Sequence, residues 1–111
     1  MSDFYCDELL SGRTPVHKVV ETENVVAFHH THPSWPAHIV VTPRRHVESL
    51  LAVEDEDQAL LIELLQVIRQ VAAIVLAEQS GCHVVTNLGD YQDSKHLHWH
   101  VYGGARLDSN S

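Results

Sequence analysis

The sequence predicts an α+β fold: an antiparallel five-stranded sheet with one long helix packed on it, and a short N-terminal helix before it. Three observations lead there. Between Asp55 and Glu78, Leu61, Leu64, Leu65, Ile68, Val71, Ala72 and Val75 recur at spacings of three and four, the period of an amphipathic helix. Short β-prone runs at 16–20, 25–28, 38–42 and 83–87 lie on both sides of it. Residues 96–102 alternate, with His96, His98 and His100 separated by Leu97, Trp99 and Val101, as in a strand with one buried face.

Each element has a local reason. Phe4, Tyr5, Leu9 and Leu10 before the Ser11-Gly12 break predict a helical turn ending near Gly12. Glu21-Thr22-Glu23-Asn24, between Val16–Val20 and Val25–Phe28, is a polar connection of hairpin length. Pro33 and Pro36 make 29–36 a loop. Arg44-Arg45-His46 follows the buried strand His38–Thr42 as a basic turn, and its arginines with Lys95 would form a solvated basic rim that attracts a phosphate. Glu54-Asp55-Glu56-Asp57 puts negative charge at the helix start, where the dipole favours it. Glu63, Gln66, Arg69 and Gln70 hold the opposite helix face, Leu60, Ile62, Val67 and Ile74 widen the apolar stripe, and Gly81 should supply a left-handed stop. The strand His83–Asn87 and the polar loop 88–95 then lead into the histidine strand, which Gly103-Gly104 ends.

At 111 residues the chain holds one core, and we expect a single domain over 1–106 with a short flexible tail at 107–111. No apolar run approaches the roughly 20 residues of a membrane span, and no basic, apolar leader opens the chain. The expectation is a cytoplasmic protein with no membrane partner, in which Cys6 and Cys82 are free thiols. A formal charge of −8 argues against a nucleic-acid partner, though a small anionic ligand can still find a local cationic site.

Ten histidines are the compositional anomaly, and most of them cluster, at 29, 30 and 32, at 38 and 46, and at 96, 98 and 100. On a strand, Cα atoms two residues apart are separated by roughly 6.6 Å and those four apart by roughly 13 Å. A metal holds its nitrogen ligands at about 2.0–2.1 Å, so one strand supplies a His-x-His pair and a third ligand comes from elsewhere. A row of three instead suits an extended anionic substrate. The middle residue, His98, is the natural nucleophile, since a neutral imidazole attacks phosphorus without a separate base and leaves an intermediate that water can break. His96 or His100 can hold the ends of the reacting phosphate and move protons.

The run His96-Leu97-His98-Trp99-His100-Val101-Tyr102 resembles the histidine triad superfamily pattern, three histidines each followed by an apolar residue. The resemblance extends to Ala27-Phe28-His29, to Pro36 through His46, to Val85-Thr86-Asn87-Leu88-Gly89 and to Gln92, in the family's order from about Phe4 to Arg106. It implies a nucleotidyl hydrolase or transferase acting at an α-phosphate through a nucleotidyl-histidine intermediate. By position His98 matches the nucleophile; His96, His100 and His38 match the histidines around the phosphate; Asn87 and Gln92 match polar residues at the phosphate and leaving group. It further implies a small-molecule nucleotide substrate, no cofactor and a homodimer sharing one sheet.

Departures from the pattern are informative. Where members often carry an acidic residue that holds ribose hydroxyls, this chain has His30, and an imidazole cannot accept two hydroxyl protons as a carboxylate does. Asp93 follows the glutamine where a Ser or Thr is common, with Ser94 next to it. Some relatives carry a zinc site that begins Cys-x-x-Cys; here that run is Asp3-Phe4-Tyr5-Cys6, and we expect no metal. Two alternatives stay open: a nucleotide-binding module with little turnover, and a metal protein ligated by His98, His100 and His38.

Overall fold

The computed structural model describes residues 16–105; the expected N-terminal helix, Asp3, Cys6 and the tail at 107–111 lie outside the described residues. Within them the order is β1 (Lys18–Glu21), β2 (Val25–His29), β3 (Ala37–Pro43), α1 (Gln58–Glu78), β4 (His83–Thr86) and β5 (Trp99–Gly103). The strands form one five-stranded antiparallel sheet, ordered β1-β2-β3-β5-β4. The α+β expectation of a five-stranded sheet under one long helix holds.

Register assigns the two faces of the sheet. His38 lies opposite Tyr102 and Val40 opposite His100, so these four share a face. Ile39, Val41 and Val101, one residue out of step, turn the other way. There they join Val25, Ala27 and the helix residues Leu64, Val67, Ile68, Val71 and Val75 in the main core. Each of those helix side chains contributes about 1.5–3 kcal/mol before chain entropy is subtracted. The histidine face carries its own small apolar cluster, Val26, Phe28 and Val40. The helix thus covers one face and leaves the other for chemistry.

Several local expectations are corrected. Leu65 is 56% exposed while Val67 is 1% exposed, so the buried stripe follows 64, 67/68, 71 and 75 and Leu65 falls about 100° round from its neighbour in it. Glu63, expected on the solvent face, reaches back to the β1–β2 turn and accepts the Asn24 backbone N–H and side-chain amide, each at 2.9 Å, and the Thr22 hydroxyl. Gly81 supplies no left-handed stop: α1 is capped by Gln79 in an extended conformation, and among the described residues the positive-φ glycines are Gly89 and Gly104. By length and composition Asp55–Glu78 does pass as a membrane-crossing helix, its most apolar 18-residue window having a mean hydropathy of 2.0, although its inner stripe is packed on the sheet.

The basic rim is also replaced. Arg44 pairs with Glu21 and Arg45 with Asp57, while Lys95 donates to the carbonyls of Gly89 at 2.7 Å and Gln92 at 3.0 Å. The two arginines tie the turn after β3 to other elements, and Lys95 closes its own loop.

Candidate active site

The three histidines of the run have unequal surroundings. β5 begins only at Trp99, where β4 pairs with it through Thr86. Before that point side-chain and loop bonds fix the backbone: the Leu97 N–H donates to the Val47 carbonyl at 2.6 Å, and the Thr42 hydroxyl to the Leu97 carbonyl at 2.8 Å. The apolar side keeps its alternation, with Leu97 and Val101 buried in the core and Trp99 packed against it. The polar side divides. His96 is fully buried, its Nε2 2.8 Å from the Pro43 carbonyl, with the His46 ring edge-on at 5.2 Å. His98 and His100 stay together, ring centres 5.0 Å apart at 76°.

His100 meets His38 of β3, whose Nε2 lies 2.9 Å from His100 Nδ1. His30 stacks on His38 at 4.3 Å and 21°. A cavity of about 470 Å³ opens against these rings, with His32, Trp35, Asn87 and Asp93 also in its wall. Trp35 stacks on Tyr102 at 3.7 Å, which makes it a wall of the cavity. Asn87 lies in the cavity wall, on the side of Val85 and His100. Gln92 is buried under the preceding loop, its amide donating to the Glu48 carbonyl at 2.8 Å. The Ser94 hydroxyl is buried without a hydrogen-bond partner among the described residues. Sequence reasoning overlooked Ser34, whose backbone N–H donates to His38 Nδ1 at 3.1 Å. No side-chain pattern announces a backbone donor.

These partners fix where each ring carries its proton. A carbonyl only accepts, so His98 Nδ1, 2.7 Å from the His96 carbonyl, carries the hydrogen, and Nε2 holds the lone pair. His38 is the reverse: Nδ1 accepts from Ser34, so in the neutral ring Nε2–H donates to His100 Nδ1. His100 in turn carries its hydrogen on Nε2. His30 Nδ1 accepts the His32 N–H at 2.9 Å, so it too presents Nε2–H.

Burial keeps the cluster neutral. It pushes His38 down to about 3, helped by His30 and His100, and His100 down to about 4, helped by His98 and His30 and opposed by Asp93. Burial lowers His98 as well, against its bond to the His96 carbonyl and the charge of Asp93. His30 is lowered by burial and then by the charges of His32 and His98. At neutral pH the site is one imidazole with an Nε2 lone pair beside three with Nε2–H.

His30, His38 and His100 also bring ring nitrogens within 4.8 Å of one another, a set with the residue types of a metal site. It differs from the expected alternative, which used His98 where the structure has His30. Its hydrogen bonds oppose coordination, because a metal-bound imidazole keeps its proton on the other nitrogen and donates it. In His30 and His38 that other nitrogen is an acceptor.

Fold and site together define an α+β domain that gathers neutral imidazoles on the sheet face opposite α1. Residues 11–107 match the HIT domain. The chain is 34% identical over 102 residues to an uncharacterized 13.2 kDa HIT-like protein of Azospirillum brasilense, spanning 89% of this chain and 84% of that one. A histidine triad protein from Clostridium difficile superposes with a TM-score of 0.79 at 32% identity over 96% of this chain and 93% of that one. A HIT family hydrolase from Legionella pneumophila gives 0.82 at 26% identity over 97% of both chains. The chain belongs to the HIT, or histidine triad, family.

Proposed function

We propose that this protein is a nucleotide hydrolase or transferase that attacks the α-phosphate of a nucleotide conjugate with His98 and passes through a nucleotidyl-histidine. The observation that carries this reading is the 2.7 Å bond from His98 Nδ1 to the His96 carbonyl, which leaves Nε2 as the nucleophilic atom of the ring. The likeness to a HIT family hydrolase supports it. Nε2 bonds to phosphorus as the bond to the leaving group breaks; water then attacks phosphorus, the P–N bond breaks and His98 is regenerated. A phosphate brought against His100 raises the proton affinity of that ring, so His100, positioned by His38, can move a proton to the leaving group. His96 acts as a positioning residue: its carbonyl orients His98 and its ring is held by Pro43. Asn87, in the cavity wall, would contact the phosphate, and Gln92 would hold the loop beside it.

Two further parts of the proposal are a homodimer and a cytoplasmic location. Ile62, Leu65 and Leu76 lie exposed on α1, and Val84 lies exposed on β4, an edge strand of the sheet, which supports pairing of two copies. The free thiol of Cys82 suits a reducing compartment.

The test is release of adenosine monophosphate from adenosine 5′-phosphoramidate by the wild type and by His98→Ala. The expected result is turnover that the substitution lowers by more than about a thousandfold while the circular dichroism spectrum is kept. Turnover that survives His98→Ala overturns the mechanism.

A further inference from the structure

The hydrogen bonds in the cavity leave His30 with one chemical role toward a ligand. Its Nδ1 is occupied by the His32 N–H at 2.9 Å, so the nitrogen left for a ligand is Nε2, and that nitrogen donates. A ligand group that needs an acceptor, such as a vicinal diol, finds none on this ring. His38, stacked against it, has both nitrogens engaged, one by Ser34 and one by His100. The donor next along the wall is His100, whose ring centre is 5.8 Å from that of His30.

Donors therefore extend along the cavity wall from His100 to His30. The reacting phosphate belongs at His98 and His100, whose ring centres are 5.0 Å apart. His30 stands beside His100, ring centres 5.8 Å apart, and His32 lies in the cavity wall with it. Asp93, the carboxylate in that wall, acts on His98 and His100, whereas the charges felt at His30 are those of His32 and His98. A cavity of about 470 Å³ has room for more than one phosphate.

We propose that His30, with His32 beside it, is a second anion-recognition point, and that the substrate carries another phosphate group besides the one His98 attacks. The identity of the substrate class rests on the nucleotidyl-transfer reading; the second anion point does not. The extra phosphate has two possible sources, a neighbour in a polyphosphate chain or a phosphate on the ribose. Both present acceptor oxygens to Nε2–H, and both make a stronger, charge-assisted bond if His30 takes up a proton.

The experiment is titration calorimetry of adenosine monophosphate, adenosine diphosphate and adenosine 3′,5′-bisphosphate against the wild type, His30→Ala and His30→Asp. The expected result is that one of the two-phosphate ligands binds the wild type about tenfold or more tighter than the monophosphate, the scale of a hydrogen bond to a charged group. His30→Ala should erase that ratio, and His30→Asp, which offers only acceptors, should invert it. Which ligand shows the preference tells the chain source from the ribose source. Equal binding of all three by the wild type overturns the proposal, as does a preference that survives both substitutions. A one-to-one zinc site lost in His30→Ala also overturns it, because the imidazoles would then be ligands. The preference without His98-dependent release of nucleotide from either a phosphoramidate or a two-phosphate conjugate refutes the catalytic reading alone; turnover without the preference refutes this one alone.

Discussion

His38 Nε2 stands 2.9 Å from His100 Nδ1, and Ser34 holds the far side of the His38 ring through a backbone N–H at 3.1 Å. A chain of two hydrogen bonds thus runs from a loop amide, through β3, to β5, and ends by placing a proton on His100 Nε2. His38 is by this account a positioning residue. Replacing it with Ala should lower kcat about a hundredfold, the range of general acid–base contributions, with a much smaller change in KM. His38→Gln, whose amide also offers an N–H, should recover part of the loss. Steady-state kinetics on the two variants checks it, and equal losses in both would refute the relay.

Neutral buried imidazoles make stability depend on pH. His38 and His100 titrate at about 3 and about 4 in the folded protein, below an unfolded value of about 6.5, and His30 and His98 shift the same way. Between those values the unfolded chain binds more protons than the folded one, so stability rises with pH. The stabilisation is full above about pH 6.5 and is lost as the pH falls toward 4 and 3. Urea unfolding over that window should show the midpoint climbing with pH and then levelling. A midpoint that falls with rising pH would mean the rings are charged in the folded state.

Glu63 gives a prediction away from the site. Its carboxylate closes the β1–β2 turn through Asn24 and Thr22, and these bonds hold its pKa below the usual carboxylate range. Glu63→Ala should cost about 1 kcal/mol of stability in thermal melts, a typical net hydrogen-bond contribution, and leave kcat unchanged.

Gly103 is a steric test of the fold. A Cβ there would lie 2.3 Å from the Gly81 carbonyl oxygen and 3.0 Å from Val75 Cγ1. Gly103→Ala should therefore destabilise by about 1–3 kcal/mol, the cost of overpacking, read as a lower melting temperature. Ala at Gly81, where a Cβ meets nothing within 4 Å, should change little.

Much of this was legible in the residues, for a physical reason. Apolar periodicity reports burial, so the strands, the long helix and the inward-facing Leu97 and Val101 could be read directly. Charge and hydrogen-bond partners were less legible because they are chosen by tertiary neighbours. Alternation put His96, His98 and His100 on one face and the resemblance added His38, but neither showed that the Pro43 carbonyl holds His96 or that His38 bonds His100. Arg44, Arg45 and Lys95 looked like a phosphate-attracting rim until Glu21, Asp57 and the 89–92 turn claimed them. His30 could be noticed as a departure from the family pattern, but its role as a donor depends on the His32 amide, which no composition reveals.

The hydrogen bond between His38 and His100 joins residues 62 apart in the chain. Closing a loop of that length costs roughly 3–4 kcal/mol of chain entropy, and it must be met before the pair can act. A nascent chain that has made β1 through β4 still has no site; it gains one only when its last strand inserts between β3 and β4. Activity here is thus a property of the completed topology, and an anion bridging the two strands would favour that topology over every partly assembled one.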